Sequence, residues 1–519
     1  MEREVLNKGD VNKAHAAANL DARARLLIIA SALTALFLGA MDSLIMTAAM
    51  PTIVAELGGL HLYSWVYSVY FLARAIALPV FGKLADLYSN RRVFLISIGL
   101  FLLSSVAAGF SSNMIFLIIC RAFQGIGAGG NFALVYIVLA HIALPGKRAK
   151  TMSFASSIWG IASLVGPTLG GFIVSYASWR WIFFMNVPLG LFSLAGIAFF
   201  LVELREKKKE VFLDIQGAWT LSLSITGLLV IFLVGGREHP WISWQVLALF
   251  LLTCLATAGF VFSEKRAKDP ILAPVYFKHP GFSFGNGAAF LSSFSVFSLF
   301  AFAPVYVQGA LAKTPVQVGI VMLSLSLGWS LGSLVLGQIS HRLGNKTASI
   351  LGAGFLVAGV GLTLTFSSET SMTVCFIVFQ LVGLGMGFVS LSTLLIVQNS
   401  MDLANLGAAT SSHQFARSLG GTVGVGICGG LLTSRLTSGI RLLKDSGMVD
   451  TMPLELLNGH GSVSEVLLMP KFQAMLTEQA RESLRQTVTA SVSVVFWITF
   501  LVAALALLCC ILLPRCGKK

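Results

Sequence analysis

Fourteen long apolar segments punctuate the 519-residue chain, at 26–50, 63–81, 93–110, 114–143, 151–176, 181–202, 215–234, 244–263, 282–307, 316–338, 347–366, 372–397, 409–434 and 490–512. A run of about 20 apolar residues spans roughly 30 Å of hydrocarbon as a helix. Only 11% of the residues are charged and mean hydropathy is +0.84, where a soluble domain carries about a quarter charged residues. Water-soluble classes are excluded, and the expected fold is an all-α integral membrane protein of the cell (plasma or inner) membrane with fourteen spans.

The net charge of +14 does not imply nucleic acid, because the cations are sorted by side. With a cytoplasmic N-terminus, 24 of the 36 Lys and Arg fall in inside loops and tails. Nine fall outside, six of them in the single long loop 435–489, where the positive-inside rule is weak. Both termini are therefore expected in the cytoplasm. Residues 1–25 form a polar tail rather than a cleavable signal, and 513–519 form a second tail. The seven cysteines have neither disulfide nor metal-ligand spacing. No metal and no cofactor is expected.

Asp42 is the acid that lies well inside an apolar run, in the segment MDSLIMTAAMP (41–51). A carboxylate at bilayer depth costs at least ~2.5–3.5 kcal/mol on permissive insertion scales, so its default explanation is functional. Arg121 lies at a similar depth, roughly 10 Å from the outer end of its helix against roughly 13 Å for Asp42, counted at 1.5 Å per residue. Arg74 lies roughly 16 Å in by the same count, so either arginine is a partner for Asp42. With Arg417, the spans hold three cations against one carboxylate. A cavity of that sign disfavours lipophilic cations.

The loops suggest two halves. The basic stretch ELREKKKE (203–210) marks a boundary, and GKLADLYSNRR (82–92) has a weak echo in GQISHRLGNK (337–346). Duplicated six-helix halves around a midplane site are a common transporter architecture. The expected organisation is a bundle over 26–202, a linker with two inserted helices over 203–281, and a second bundle over 282–512. The outer loop 435–489 is expected to form a partly helical cap.

Six ordered segments carry a family resemblance: MDSLIMTAAMP (41–51), GKLADLYSNRR (82–92), RAFQGIGAGG (121–130), GPTLGG (166–171), WRWIFFMNVP (179–188) and RSLGGTVGVGI (417–427). The chain resembles the fourteen-helix drug:proton antiporters of the major facilitator superfamily. The resemblance implies a 6+2+6 fold and proton-driven export of small amphipathic compounds by alternating access. It also implies roles in proton coupling for Asp42 and Arg121. Gly166, Pro167, Gly170 and Gly171 would form the antiporter element of the fifth helix. Gly82, Asp86, Arg91 and Arg92 would form a cytoplasmic gate. The match departs from the family pattern at Leu87, Ser89 and Asn90, and at His141, which stands where an acid is common. His titrates near neutrality, so the gate is either pH-sensitive there or simply ends in a solvated residue.

Candidate lining residues are Tyr67, Tyr70, Gln124, Trp159, Phe290 and Phe294. The expected partners are a small-molecule cargo, protons and membrane lipid, with a monomeric chain. A typical cationic-drug profile competes with an anionic, lipid-like, siderophore or metabolite cargo. A membrane enzyme or receptor finds no support. LPGKRAKT (144–151) has Arg where a phosphate loop needs Ser or Thr, and no HExxH occurs.

Overall fold

The computed structural model describes residues 21–58, 62–144, 147–202, 214–235, 242–267, 270–271, 273–402, 405–445 and 477–514. The tail 1–20, the basic stretch 203–213, the segment 446–476 and the final five residues lie outside the described residues, and with them the expectations placed there.

Fourteen long helices run through the described residues. They are α1 (Ala22–Leu57), α2 (Tyr63–Leu87), α3 (Asn90–Gly109), α4 (Met114–Ile142), α5 (Arg148–Tyr176), α6 (Asn186–Phe200), α7 (Ile215–Val234) and α8 (Trp244–Arg266). After a 3-10 turn at Pro274–Lys278 come α9 (Pro280–Val305), α10 (Pro315–Leu343), α11 (Asn345–Thr363), α12 (Met372–Asn399), α13 (Leu406–Asp445) and α14 (Glu478–Leu512). Among the described residues, twelve helices are long and apolar enough to cross a membrane. The caps follow sequence chemistry. Ser89, Asn113, Asp214, Ser243, Ser371 and Thr477 each accept a hydrogen bond from a first-turn N–H. Thr314 and Gln317 form a reciprocal capping box at α10.

The helices sort into two bundles. In the first, α1 packs on α5 and α6, and α4 packs on α2 and α3. In the second, α12 packs on α10 and α11, while α9 packs on α13 and α14. α7 and α8 pair with each other, and α7 also touches α2 and α13. Leu221 and Ile225 of α7 bury against Ala75 of α2. α8 leaves Phe250, Leu251, Leu255 and Phe262 exposed, as a helix facing lipid does.

Each bundle is held close by a glycine ladder. On α4, Gly125 and Gly129 lie against the backbone of α2, and Gly127 against that of α3. On α12, Gly383 and Gly387 lie against α10, and Gly385 against α11. Cβ atoms would collide at all six positions, so helix association here uses backbone contact in place of interlocking side chains.

Two helix ends depart furthest from the hydropathy boundaries. α13 continues past 434 to Asp445, and α14 begins at Glu478, well before 490. The segment 435–489 is therefore helical at both ends, an antiparallel extension in which Leu436 and Leu484 are buried and Gly439 faces Thr487. Polar outward faces hide such extensions from a hydropathy scan.

Candidate functional site

The two bundles meet tightly at the end that carries the α2–α3 loop. Asp86 accepts hydrogen bonds from the amides of Gly407 (2.8 Å) and Ala408 (2.7 Å). Those amides open α13, where the helix dipole favours an anion. Gly82 sits against Ser411, and a Cβ there would overlap the serine side chain. Arg148, at the start of α5, donates to Gln398 Oε1 (2.8 Å) and Asn399 Oδ1 (3.3 Å) on α12. Burial pushes the Arg148 guanidinium down to about 10. Further up, Ser153 nests against Gly337, and Ser330 against Gly160. Of the other residues expected at this gate, Arg91 and Arg92 are exposed at the start of α3, with Ser89 Oγ accepting from the Arg92 amide (3.4 Å). His141 is half-buried in the last turn of α4.

Midway along the first bundle lies a buried polar cluster. Asp42 is fully buried on α1. Its Oδ2 accepts from Arg121 Nη1 at 2.5 Å, and its Oδ1 accepts from Gln124 Nε2 at 2.9 Å and from Asn186 Nδ2 at 3.5 Å. Arg121 also donates to Gln124 Oε1 (2.8 Å), and its guanidinium lies 4.1 Å from the Tyr70 ring centroid. Tyr70 in turn donates to the Gly39 carbonyl (3.0 Å). Asn186 is oriented by Ser105 Oγ (3.0 Å). Three helices, α1, α4 and α6, thus meet at one carboxylate, and Arg121 rather than Arg74 is its ion-pair partner.

A cavity of about 380 Å³ opens beside this cluster, between the bundles. Its size lies within the range of small-molecule sites. The wall is mainly aromatic: Trp65, Phe71, Phe132, Trp159 and Phe297 line it, with Tyr67 beside them. Val230 of α7 adds to the wall, so the inserted pair shapes the site. Arg74 and Arg417 are the charged residues among the lining side chains.

Several expected lining residues sit elsewhere. Tyr70 is fully buried beneath Arg121, Gln124 holds Asp42, and Phe294 packs in the second bundle's core. Phe290 lies along α9 with its backbone against Gly420 and is not among the lining residues, which include Phe297 instead. The element 166–171 stays helical within α5, with Gly166 admitting Leu44 of α1 and Gly171 open. Asn186 was not singled out from sequence. The available signal was a lone amide beginning an otherwise apolar helix.

Comparison with known proteins agrees with this architecture. The model for the Major Facilitator Superfamily matches residues 32–425. The chain is similar to the multidrug transporter protein MdtP of Bacillus subtilis (strain 168), at 34% identity over 463 residues, 86% of this chain and 85% of that protein. It is 30% identical over 411 residues to multidrug resistance protein 3 of the same organism, covering 79% and 80% of the two chains. In fold it resembles a bacterial homologue of the iron transporter ferroportin in an outward-facing state. The TM-score is 0.60 at 12% identity, covering 93% of this chain and 98% of that one.

Proposed function

The chain belongs to the major facilitator superfamily as a multi-pass membrane transporter, and from that premise we propose that it exports small amphipathic compounds in exchange for protons. The observation that carries this is the buried Asp42 cluster beside an aromatic cavity. Arg121, Gln124 and Asn186 all donate to this carboxylate. When it takes a proton, the ion pair with Arg121 is lost and the three helices it joins, α1, α4 and α6, are released from one another.

α2 supplies the link between proton and cargo. Tyr70 contacts Arg121, while Tyr67, Phe71 and Arg74 of the same helix face the cavity. Cargo that shifts α2 therefore acts on the Asp42–Arg121 pair, and protonation acts back on the wall. Such coupling is reciprocal by thermodynamic necessity.

The distribution of Lys and Arg supports fourteen spans with both termini, and the tightly joined end, in the cytoplasm. In that orientation the cavity faces outward. Asp86 and Arg148 then act as the inner latch that rocking of the bundles must break. The names of the two Bacillus relatives, a multidrug transporter and a multidrug resistance protein, support drug-like cargo.

Gradient-driven transport in proteoliposomes tests the proposal. Wild type should move amphipathic dyes when a pH gradient is imposed, and Asp42→Asn should not. Equal transport by Asp42→Asn would show that coupling does not pass through this carboxylate.

A further inference from the structure

Arg74 and Arg417 enter the cavity from opposite bundles, on α2 and α13 respectively. Gly82 and Ser411 touch at the closed end of these two antiparallel helices. Eight residues along α2 from that contact reach Arg74, and six along α13 reach Arg417. At 1.5 Å per residue the two side chains root within about 3 Å of the same depth.

Neither guanidinium forms an ion pair among the described residues. Arg74 lies 5.0 Å from each of the Phe71 and Phe132 ring centroids, and its Nη1 is buried without a hydrogen-bond partner. Arg417 lies 5.2 Å from the Trp329 centroid and donates to Gln414 Oε1 (3.0 Å). It is only 9% exposed, yet its Nε has no partner, and neither does Gln414 Nε2. Aromatic faces orient a guanidinium but do not neutralise it. Asp42 cannot help, because it is fully buried outside the cavity wall and committed to Arg121. The wall therefore presents two fixed cations, unused donors and aromatic surface, with no carboxylate among its lining residues.

We infer that this cavity is built for an amphipathic anion, a carboxylate, sulfonate or phosphate head between Arg74 and Arg417 with an apolar body against Trp65, Phe71 and Trp159. The inference rests on the exporter reading and sharpens its cargo class. Forked guanidinium donors suit such heads, and the charge-assisted bonds replace solvation lost on entry. Because one arginine comes from each bundle, a bound head also bridges the two moving parts.

The test is equilibrium binding by the full chain in nanodiscs, without a gradient, read as energy transfer from tryptophan to dansyl amphipaths. The tails are identical and the heads are sulfonate, trimethylammonium or neutral amide. The sulfonate should bind about tenfold more tightly than the ammonium. Arg74→Gln and Arg417→Gln should each lower sulfonate affinity by about five- to tenfold and leave the amide unchanged. Should Arg417→Gln not fold, Arg74→Gln and Arg417→Lys decide, since Lys keeps charge but not the fork. Equal affinity for the three heads, or no effect of Arg74→Gln, overturns the inference. Nanodiscs of phosphatidylcholine alone are compared with a mixture containing phosphatidylglycerol. Competition by the anionic lipid identifies a lipid headgroup as the ligand, and its absence identifies a dissolved anion. Binding selectivity is independent of Asp42→Asn transport, so either proposal can fail while the other stands.

Discussion

α4 and α12 occupy matching places in the two bundles and share a glycine ladder at the same spacing, Gly125, Gly127 and Gly129 against Gly383, Gly385 and Gly387. Four residues before the first glycine the two helices part company. α4 carries Arg121, which holds Asp42, whereas α12 carries Phe379, fully buried among apolar neighbours. The packing device is duplicated and the ionic device is not. In this protein, helix spacing is a property of both halves, while the proposed proton chemistry belongs to the first. The second half contributes Arg417 and Phe297 to the cavity and the α13 amides to the latch.

Making the two halves alike at this position is the most disruptive change. Arg121→Phe should strand Asp42 in the interior and cost about 3–5 kcal/mol, as removing one member of a buried pair does. Denaturation of the detergent-solubilised protein reads the loss, and gradient-driven transport should vanish with it. Unchanged stability would show that the Asp42–Arg121 pair does not hold the first bundle together.

Gly127→Leu and Gly385→Leu probe the shared device. A Cβ at Gly127 would meet Phe101 N at 2.6 Å, and one at Gly385 would meet Leu356 N at 2.5 Å. Each substitution should cost about 1–3 kcal/mol by overpacking, with similar melting shifts in the two halves. A loss confined to one half would show that the ladders are not equivalent.

The smallest effect is expected at the rim opposite the latch, where the first bundle has a clasp of its own. Glu56 accepts from Arg180 Nη1 (2.5 Å) and Trp179 Nε1 (2.6 Å), and these hydrogen bonds hold its carboxyl below the ordinary value of 4.5. A depressed carboxylate contributes stability above its unfolded value and loses it as pH falls through the folded one. Wild type should therefore show a melting decrement below pH 4.5 that Glu56→Gln lacks. Identical acid profiles would show that the exposed clasp contributes nothing.

Much of the fold was legible because a bilayer allows so few solutions. Apolar length fixed the existence of the helices. Polar chemistry was less legible. Depth along a helix follows from counting residues, but rotation about its axis does not. Arg74 and Arg121 were therefore equal candidates for Asp42 until packing turned one towards α1 and the other into the cavity. The same limit explains Tyr70, which shares α2 with the lining residues yet points to the buried cluster. Neither glycine ladder stood out either, since 51 glycines offer many chance spacings and only contact distances show which are occupied by a neighbour.

α13 is one unbroken helix of 40 residues from the latch at Leu406 to Asp445, about 60 Å at 1.5 Å per residue. A rod of that length behaves as a lever. A tilt of about 10° pivoting at the latch swings its far tip by about 10 Å, while the residues around Ser411 move by only about an ångström. The extension at its far end is thus the place where a fluorophore or spin label would report the state of the latch from the opposite end of the molecule, without touching the cavity between them.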